Sequence, residues 1–142
     1  MEDISPCRDM PSLRTLVVDD HKDLRKLLRS ILHDKTECIV VGEASDGLQA
    51  IEQTKQLKPD LILLDLSLPQ LNGMEAARRI RKLSPNSKIL FLSQDNSPEV
   101  VQGALRLGAS GYILKSDATE IPLAVDSILQ GEVFVSKKVK DS

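Results

Sequence analysis

The feature that most constrains the fold is an alternation between short apolar runs and longer amphipathic segments. Runs of three or four apolar residues that do not alternate with polar ones are typical of strands buried on both faces. Five such runs occur along the chain: Leu16-Val17-Val18, Ile39-Val40-Val41, Leu61-Ile62-Leu63-Leu64, Ile89-Leu90-Phe91-Leu92 and Tyr112-Ile113-Leu114.

The segments between these runs carry apolar residues at steps of three and four, the spacing of one helix face. The first predicted helix runs from near His21 to His33. Ser97 and Pro98 have the residue types favoured at an N-cap and a first helical position, so they predict the start of the fourth helix. The other helices are marked by Leu48, Ile51 and Leu57, by Met74, Ala77 and Ile80, and by Ile121, Ala124, Val125, Ile128 and Leu129.

Five strands separated by five helices predict an α/β fold. Strands joined through helices pair in parallel, with right-handed crossovers, and helices cover both faces of the sheet. We therefore expect a three-layer αβα sandwich formed by one domain, which suits a chain of 142 residues. Ligands of such sheets bind beyond the carboxyl ends of the strands, so functional residues are sought there.

Composition excludes several functions. With 19 basic and 21 acidic residues the formal charge is -2, which gives no general attraction to nucleic acid or to an anionic membrane. No apolar run approaches the ~20 residues that span a bilayer. We expect a cytoplasmic protein without direct nucleic-acid binding, in which Cys7 and Cys38 are two free thiols; a disulfide between them is the less favoured alternative.

Polar residues follow four of the predicted strands: Asp19 and Asp20 after the first, Asp65 after the third, Ser93 after the fourth and Lys115 after the fifth. Carboxylates crowded at one edge of a sheet repel one another unless a cation joins them, and an incomplete cage of oxygen ligands favours Mg²⁺. Read singly, the acidic residues could be a helix cap or a turn, Ser93 a loop hydroxyl and Lys115 a surface lysine. Their joint placement favours a site.

A carboxylate can attack phosphorus and form an acyl phosphate, so Asp65 is the best candidate nucleophile. Lys115 can supply a point charge to one phosphoryl oxygen, and Ser93 can donate a hydrogen bond to another. A metal ion would neutralise the charge that develops during the transfer.

These residues resemble the response-regulator receiver domain of two-component signalling. The resemblance runs from about Leu13 to Gly131. Gly108-Ala109-Ser110-Gly111-Tyr112 and the segment from Gly131 to Ser136 are similar to the NarL/FixJ (LuxR-type) subgroup. The motifs are Val17-Val18-Asp19-Asp20, Asp65-Leu66-Ser67-Leu68-Pro69, Asn72-Gly73-Met74, Leu92-Ser93 and Gly111-Tyr112-Ile113-Leu114-Lys115.

The resemblance implies a flavodoxin-like sheet of five parallel strands in the order 2-1-3-4-5. It also implies that Asp65 accepts a phosphoryl group from a histidine kinase or a phosphotransfer protein. Asp20 would bind Mg²⁺ directly and Asp19 largely through water. The Ser67 backbone carbonyl and Asp65 would complete the protein ligands.

The resemblance further implies a conformational switch. Ser93 and Lys115 would respond to the phosphoryl group, and Tyr112 would swing inward as Ser93 moves. The surface of the fourth helix, fifth strand and fifth helix would then change its preference among partners, with homodimer formation on phosphorylation as one outcome. Such a protein is a regulator that assists its own phosphorylation and dephosphorylation, not an enzyme with an external substrate pool.

The resemblance divides the chain into a leader at 1–12, a receiver at 13–131 and a tail at 132–142, which leaves the DNA-binding output domain of the subgroup outside this chain. One departure is Gln94, since the residue after Ser93 is usually small in the family. A long side chain there would slow phosphorylation or hydrolysis. It also keeps open a second function, a scaffold that never takes phosphate.

Two other classes fit less well. A haloacid dehalogenase-type phosphatase places its nucleophile after the first strand and a second Asp two residues later, whereas Asp65 follows the third strand and Ser67 stands two residues on. A flavodoxin-like flavin binder holds phosphate on the loop after the first strand. Here Asp19 and Asp20 occupy that loop and would repel phosphate unless a metal ion is bound.

Overall fold

A computed structural model describes residues 12–136. Most of the predicted leader, with Cys7, and the lysines of the predicted tail lie outside the described residues. Within them no helix is both long and apolar enough to cross a membrane. The strands are β1 (Leu13–Val18), β2 (Cys38–Ala44), β3 (Leu61–Asp65), β4 (Lys88–Ser93), β5 (Gly111–Leu114) and β6 (Phe134–Val135); the helices are α1 (Lys22–Lys35), α2 (Gly47–Leu57), α3 (Gly73–Leu83), α4 (Pro98–Arg106) and α5 (Ile121–Leu129).

The strands form one parallel sheet in the order β2-β1-β3-β4-β5-β6. Side chains of α2, α3 and α4 join one apolar cluster and those of α1 and α5 join another, so the helices cover both faces of the sheet. The predicted αβα sandwich and the order 2-1-3-4-5 are confirmed. The strand order reverses between β1 and β3, which places a crevice at their carboxyl ends.

The central strands are buried on both faces, as their uninterrupted apolar sequences predict. Every residue of β3 is buried, and so is every residue of β4 after Lys88. Phe91 and Tyr112 are the largest fully buried side chains, with ring centroids 6.4 Å apart. Burying aromatic groups of this size contributes strongly to stability, because the hydrophobic gain scales with the apolar area removed from water.

The expectation of two-sided burial is wrong for β2. This strand lies at the edge of the sheet and is buried only at Cys38 and Ala44, while Ile39 is 53% exposed. An apolar triplet does not reveal whether its strand has a neighbour on one side or on two. The register with β1 also shifts between Thr15 and Leu16, a bulge of the kind common at sheet edges.

The sheet also has one strand more than predicted. Phe134 and Val135 pair with Gly111 and Tyr112, which extends the sheet past Gly131 into the segment interpreted as a tail. Two residues are too few to give a periodic pattern, so sequence alone did not indicate this strand.

Two neighbouring leucines of α1 test the packing. Leu28 is fully buried and Leu27 is 49% exposed. We expect Leu28→Ala to lower the free energy of unfolding by about 2–5 kcal/mol, because it leaves a cavity. Leu27→Ala should cost under ~1 kcal/mol. Urea denaturation measures both, and equal losses would contradict the described face of α1.

Candidate functional site

The side chain of Lys115 joins the ends of β1 and β3 at the carboxyl edge of the sheet. Its Nζ lies 3.1 Å from Asp65 Oδ2 and 3.2 Å from Asp19 Oδ2. Both carboxylates are almost entirely buried, and the lysine side chain is 15% exposed. The predicted convergence of these three residues is therefore present, with one ammonium placed between two carboxylates.

The two carboxylate oxygens of Asp19 differ: one accepts a hydrogen bond and the other does not. Oδ1 accepts a hydrogen bond of 2.8 Å from the His21 backbone N–H. Oδ2 is buried and contacts the Lys115 ammonium, but no hydrogen bond of good geometry reaches it. A buried carboxylate oxygen without a hydrogen bond costs free energy, so this atom is suited to another positive ligand.

The first acidic residues and His21 form a compact group. Nδ1 of His21 lies 3.2 Å from Asp19 Oδ1 and 3.0 Å from Asp20 Oδ1, and one ligand atom from each of the three residues lies within 4.8 Å of the others. The His21 side chain is 69% exposed and lies at the N-cap of α1. Asp20 thus faces the same opening but makes no described contact with Lys115.

Two residues that support Asp19 were not identified from the sequence. Arg25 Nη1 donates a 2.7 Å hydrogen bond to the Asp19 backbone carbonyl, and its Nε pairs with Glu43 Oε1 at 2.9 Å. Glu43 lies on β2, so this chain of contacts ties α1 and the edge strand to the acidic loop. A charged residue on a helix gives no sequence signal for such a role, since most are solvated.

Asp65 is held by the turn that follows it. Its Oδ1 accepts a hydrogen bond of 3.0 Å from the Ser67 backbone N–H, and the Leu66 N–H donates to the Leu92 carbonyl of β4. Gly73, at the start of α3, lies so close to the Asp65 backbone that a Cβ on it would be 2.3 Å from the Asp65 carbonyl oxygen. Only glycine leaves room for this close approach of the two backbones.

Burial sets the electrostatics of the pair. It raises the pKa of Asp65; the Ser67 N–H opposes this shift, the Asp19 charge adds to it and Lys115 reduces it. For Lys115, burial acts to lower the pKa, but the Asp65 and Asp19 carboxylates outweigh burial and raise it. The lysine is therefore a cation at neutral pH, and the fold disfavours the ionised form of Asp65 relative to an exposed carboxylate.

Ser93 and Tyr112 form a second polar group beside the first. Ser93 ends β4 in register with Leu114, and its Oγ accepts a hydrogen bond of 2.9 Å from the Asp95 N–H. The Tyr112 ring is fully buried, and its hydroxyl donates to the Asp95 carbonyl oxygen. Burial raises the pKa of that hydroxyl, and a hydrogen bond with Ser93 opposes the shift. The side chain of Gln94 is exposed.

Comparison with known proteins identifies the class. The response regulator receiver domain family matches residues 15–126, most of the chain. The chain therefore belongs to the receiver domains of two-component response regulators, and its relatives place it with those of NarL/LuxR type. The family is regulatory, and its members interact with histidine kinases and output domains.

Among curated relatives, the nitrate/nitrite response regulator protein NarL of Escherichia coli K12 is 39% identical over 123 residues, covering 86% of this chain and 57% of that protein. The chemotaxis protein CheY of Thermotoga maritima is 38% identical over 102 residues, covering 72% of this chain and 84% of CheY. The chain thus spans little more than half the length of NarL and most of the length of CheY.

Solved structures agree. A LuxR-family two-component response regulator from Aurantimonas sp. SI85-9A1 superposes with a TM-score of 0.87 at 32% identity, covering 92% of this chain and 94% of that one. The isolated receiver domain of RcsB from Salmonella enterica serovar Typhimurium, determined in the presence of phosphomimetic BeF3⁻, superposes with a TM-score of 0.86 at 25% identity, covering 92% and 98%.

Two glycines test how tightly the site is held. We expect Gly73→Ala to lower the free energy of unfolding by several kcal/mol, on the order of an overpacked core, because its Cβ would collide with the Asp65 backbone. The matched control is Gly103→Ala in α4, where the nearest atom lies 3.8 Å from the added Cβ. That change should stabilise by roughly 0.5–1 kcal/mol through helix propensity. A neutral Gly73→Ala would contradict the described approach.

The raised pKa of Asp65 predicts a pH-dependent effect of removing its charge. The folded state disfavours the ionised form, so wild type loses stability as the pH rises from about 3.9, the ordinary Asp pKa, through the raised value. In EDTA at neutral pH, Asp65→Asn should therefore be more stable than wild type, and the difference should vanish below about pH 4.

Lys115 keeps Asp19 as a partner in this variant, so the cation is not left unpaired. Asp126→Asn, which changes an exposed carboxylate on α5, is the control and should show no such pH trend. Thermal unfolding monitored by circular dichroism across the pH range measures all three proteins. An Asp65→Asn protein that is less stable at neutral pH would refute the prediction.

Proposed function

We propose that this chain is the phosphoacceptor module of its response regulator, with Asp65 as the residue that carries the phosphoryl group. The observation that supports this most directly is the position of Lys115 Nζ, 3.1 Å from Asp65 and 3.2 Å from Asp19. A buried, charged ammonium beside a buried carboxylate can bind an oxygen of an incoming phosphoryl group without displacing the nucleophile.

Mg²⁺ fits the residues at the site. The Asp19 oxygen without a hydrogen bond, the half-exposed Asp20 and the Asp65 carboxylate are hard oxygen ligands at one opening. With the Ser67 backbone carbonyl they would hold the ion, with Asp19 acting largely through water. When bound, Mg²⁺ would supply positive charge to the phosphoryl oxygens.

The transfer itself needs little from the protein besides placement. A carboxylate oxygen of Asp65 attacks phosphorus, the bond from phosphorus to the donor breaks, and the donor leaves with the electron pair. Lys115 stabilises charge on one phosphoryl oxygen and Ser93 donates a hydrogen bond to a second. The Ser67 N–H and the closely packed Gly73 fix the Asp65 carboxylate before the donor arrives, which lowers the entropic cost of the reaction.

Ser93 and Tyr112 are the proposed switch. If Ser93 turns toward a phosphoryl oxygen, its hydrogen bond with the Asp95 N–H must change, and the Tyr112 hydroxyl donates to the carbonyl of that same Asp95. Tyr112 already lies in the interior, so we propose that phosphorylation selects among packings of this buried ring and of the loop before α4. The surface formed by α4, β5 and α5 would change as a result.

The proposed partners follow from the family. A sensor histidine kinase or a phosphotransfer protein would supply the phosphoryl group in the cytoplasm, and the switched surface would control an output domain or a homodimer. NarL, DegU of Brevibacillus brevis and related regulators are longer than the matched region. DNA binding would reside in such an output domain, and we propose no direct contact of these residues with nucleic acid.

Incubation with acetyl phosphate and Mg²⁺, followed by intact-mass measurement, tests the proposal. Wild type should gain the mass of one phosphoryl group, and Asp65→Asn should gain none. Asp60→Asn is the matched control, because Asp60 lies at the opposite end of the sheet, just before β3, and the new amide oxygen can still accept from the Arg14 N–H. It should be phosphorylated like wild type.

Lys115→Gln should slow the gain of mass by at least 10-fold, since a charge-assisted contact to the phosphoryl group is lost. EDTA should abolish the reaction in every variant. A wild-type protein that gains no mass with Mg²⁺ present would overturn the proposal and would favour the alternative, a receiver-like scaffold that acts only by binding.

A further inference from the structure

The short strand β6 pairs with β5, the strand that carries Tyr112, through close backbone contact. The Phe134 N–H donates to the Ser110 carbonyl at 3.1 Å, and the Ser136 N–H donates to the Tyr112 carbonyl at 2.9 Å. A Cβ on Gly111 would lie 3.0 Å from the Phe134 carbonyl oxygen, so the glycine permits this approach. The segment after α5 is therefore joined to the residue that carries the buried aromatic ring.

The Ser136 side chain extends this junction to the Lys115 turn. Ser136 is fully buried. Its Oγ accepts a hydrogen bond of 3.0 Å from the Leu114 N–H and donates one of 3.1 Å to Glu120 Oε1. Leu114 immediately precedes Lys115, which begins a 3₁₀ segment that is kinked near its middle and ends at Glu120. One hydroxyl thus holds both ends of the turn from which the lysine projects.

We propose that Ser136 is a positioning residue that fixes the turn from which Lys115 projects. Through this turn, the binding of a phosphoryl group at Asp65 is coupled to the ordering of β6. This inference rests on the proposed function, because it concerns how that site is held. Coupling of this kind is reciprocal. If the ordering of β6 strengthens the binding of the phosphoryl group by some factor, then a group bound at Asp65 must favour the ordered state of β6 by the same factor.

The geometry explains why the coupling passes through this residue. Lys115 must keep its Nζ about 3 Å from two carboxylates, and a shift of its backbone would change both distances. Without the Ser136 hydroxyl, the Leu114 N–H would have no acceptor in a buried place, and the turn would relax to find one. The chain that continues beyond Ser136 would thereby sense the occupancy of the site.

The experiment uses beryllium fluoride with Mg²⁺ as the phosphoryl mimic, on wild type and three variants. Ser136→Ala should weaken its binding by roughly 2- to 10-fold, the effect of one net hydrogen bond. Glu120→Gln keeps an acceptor for the Ser136 hydroxyl and should bind like wild type. Ser87→Ala is the matched control: it removes another buried hydroxyl, one bonded to Pro59 and Ser84 at the opposite end of β4, and should lower stability without changing this affinity.

Amide hydrogen exchange supplies a second measurement. In wild type, beryllium fluoride should slow exchange at the Leu114 and Ser136 amides, and in Ser136→Ala the Leu114 amide should exchange faster and respond less. If wild type binds the mimic but Ser136→Ala binds equally well, or the two amides do not respond, the coupling is wrong and the proposed function stands. If wild type neither binds the mimic nor takes phosphate from acetyl phosphate, the proposed function itself fails.

Discussion

The ammonium group of Lys115 between two buried carboxylates is the interaction on which the rest of the site depends. Two carboxylates buried near each other disfavour each other's charge, and the Lys115 cation between them offsets that repulsion. The arrangement is stable without being saturated, since one oxygen of Asp19 lacks a hydrogen bond. A buried oxygen that lacks a hydrogen bond supports the proposal that this site binds a divalent ion and a phosphoryl group.

The sheet makes this arrangement possible. The carboxyl ends of parallel strands lie at one edge of the sheet, so residues 19, 65 and 115 meet although almost a hundred positions separate the first from the last. The apolar strands that carry them are buried on both faces, which leaves little freedom for the polar residues at their ends. The precision of the site therefore comes from the packing of Val, Leu, Ile and Phe side chains that have no chemistry of their own.

Much of this could be predicted from the sequence, because the informative patterns are local. Apolar triplets and helical spacing indicated the βα repeats, and the polar residues after four of the five predicted strands indicated the edge where Asp65 and Lys115 meet. What sequence did not indicate depends on tertiary context. The exposure of Ile39 follows from the edge position of β2, and the roles of Arg25 and Ser136 follow from contacts with residues that are distant in the chain. The identity of an arginine or a serine does not indicate which distant atom its side chain will contact.

The sixth strand bears on how receivers can be recombined with other modules. The apolar pattern stops at Gly131, and a natural choice of crossover point would fall there. Yet the carbonyl groups of Ser110 and Tyr112 accept hydrogen bonds from the N–H groups of residues 134 and 136. A hybrid protein that joins this receiver to a foreign effector should therefore include the chain as far as Ser136. A fusion point before that residue would remove the strand that pairs with β5.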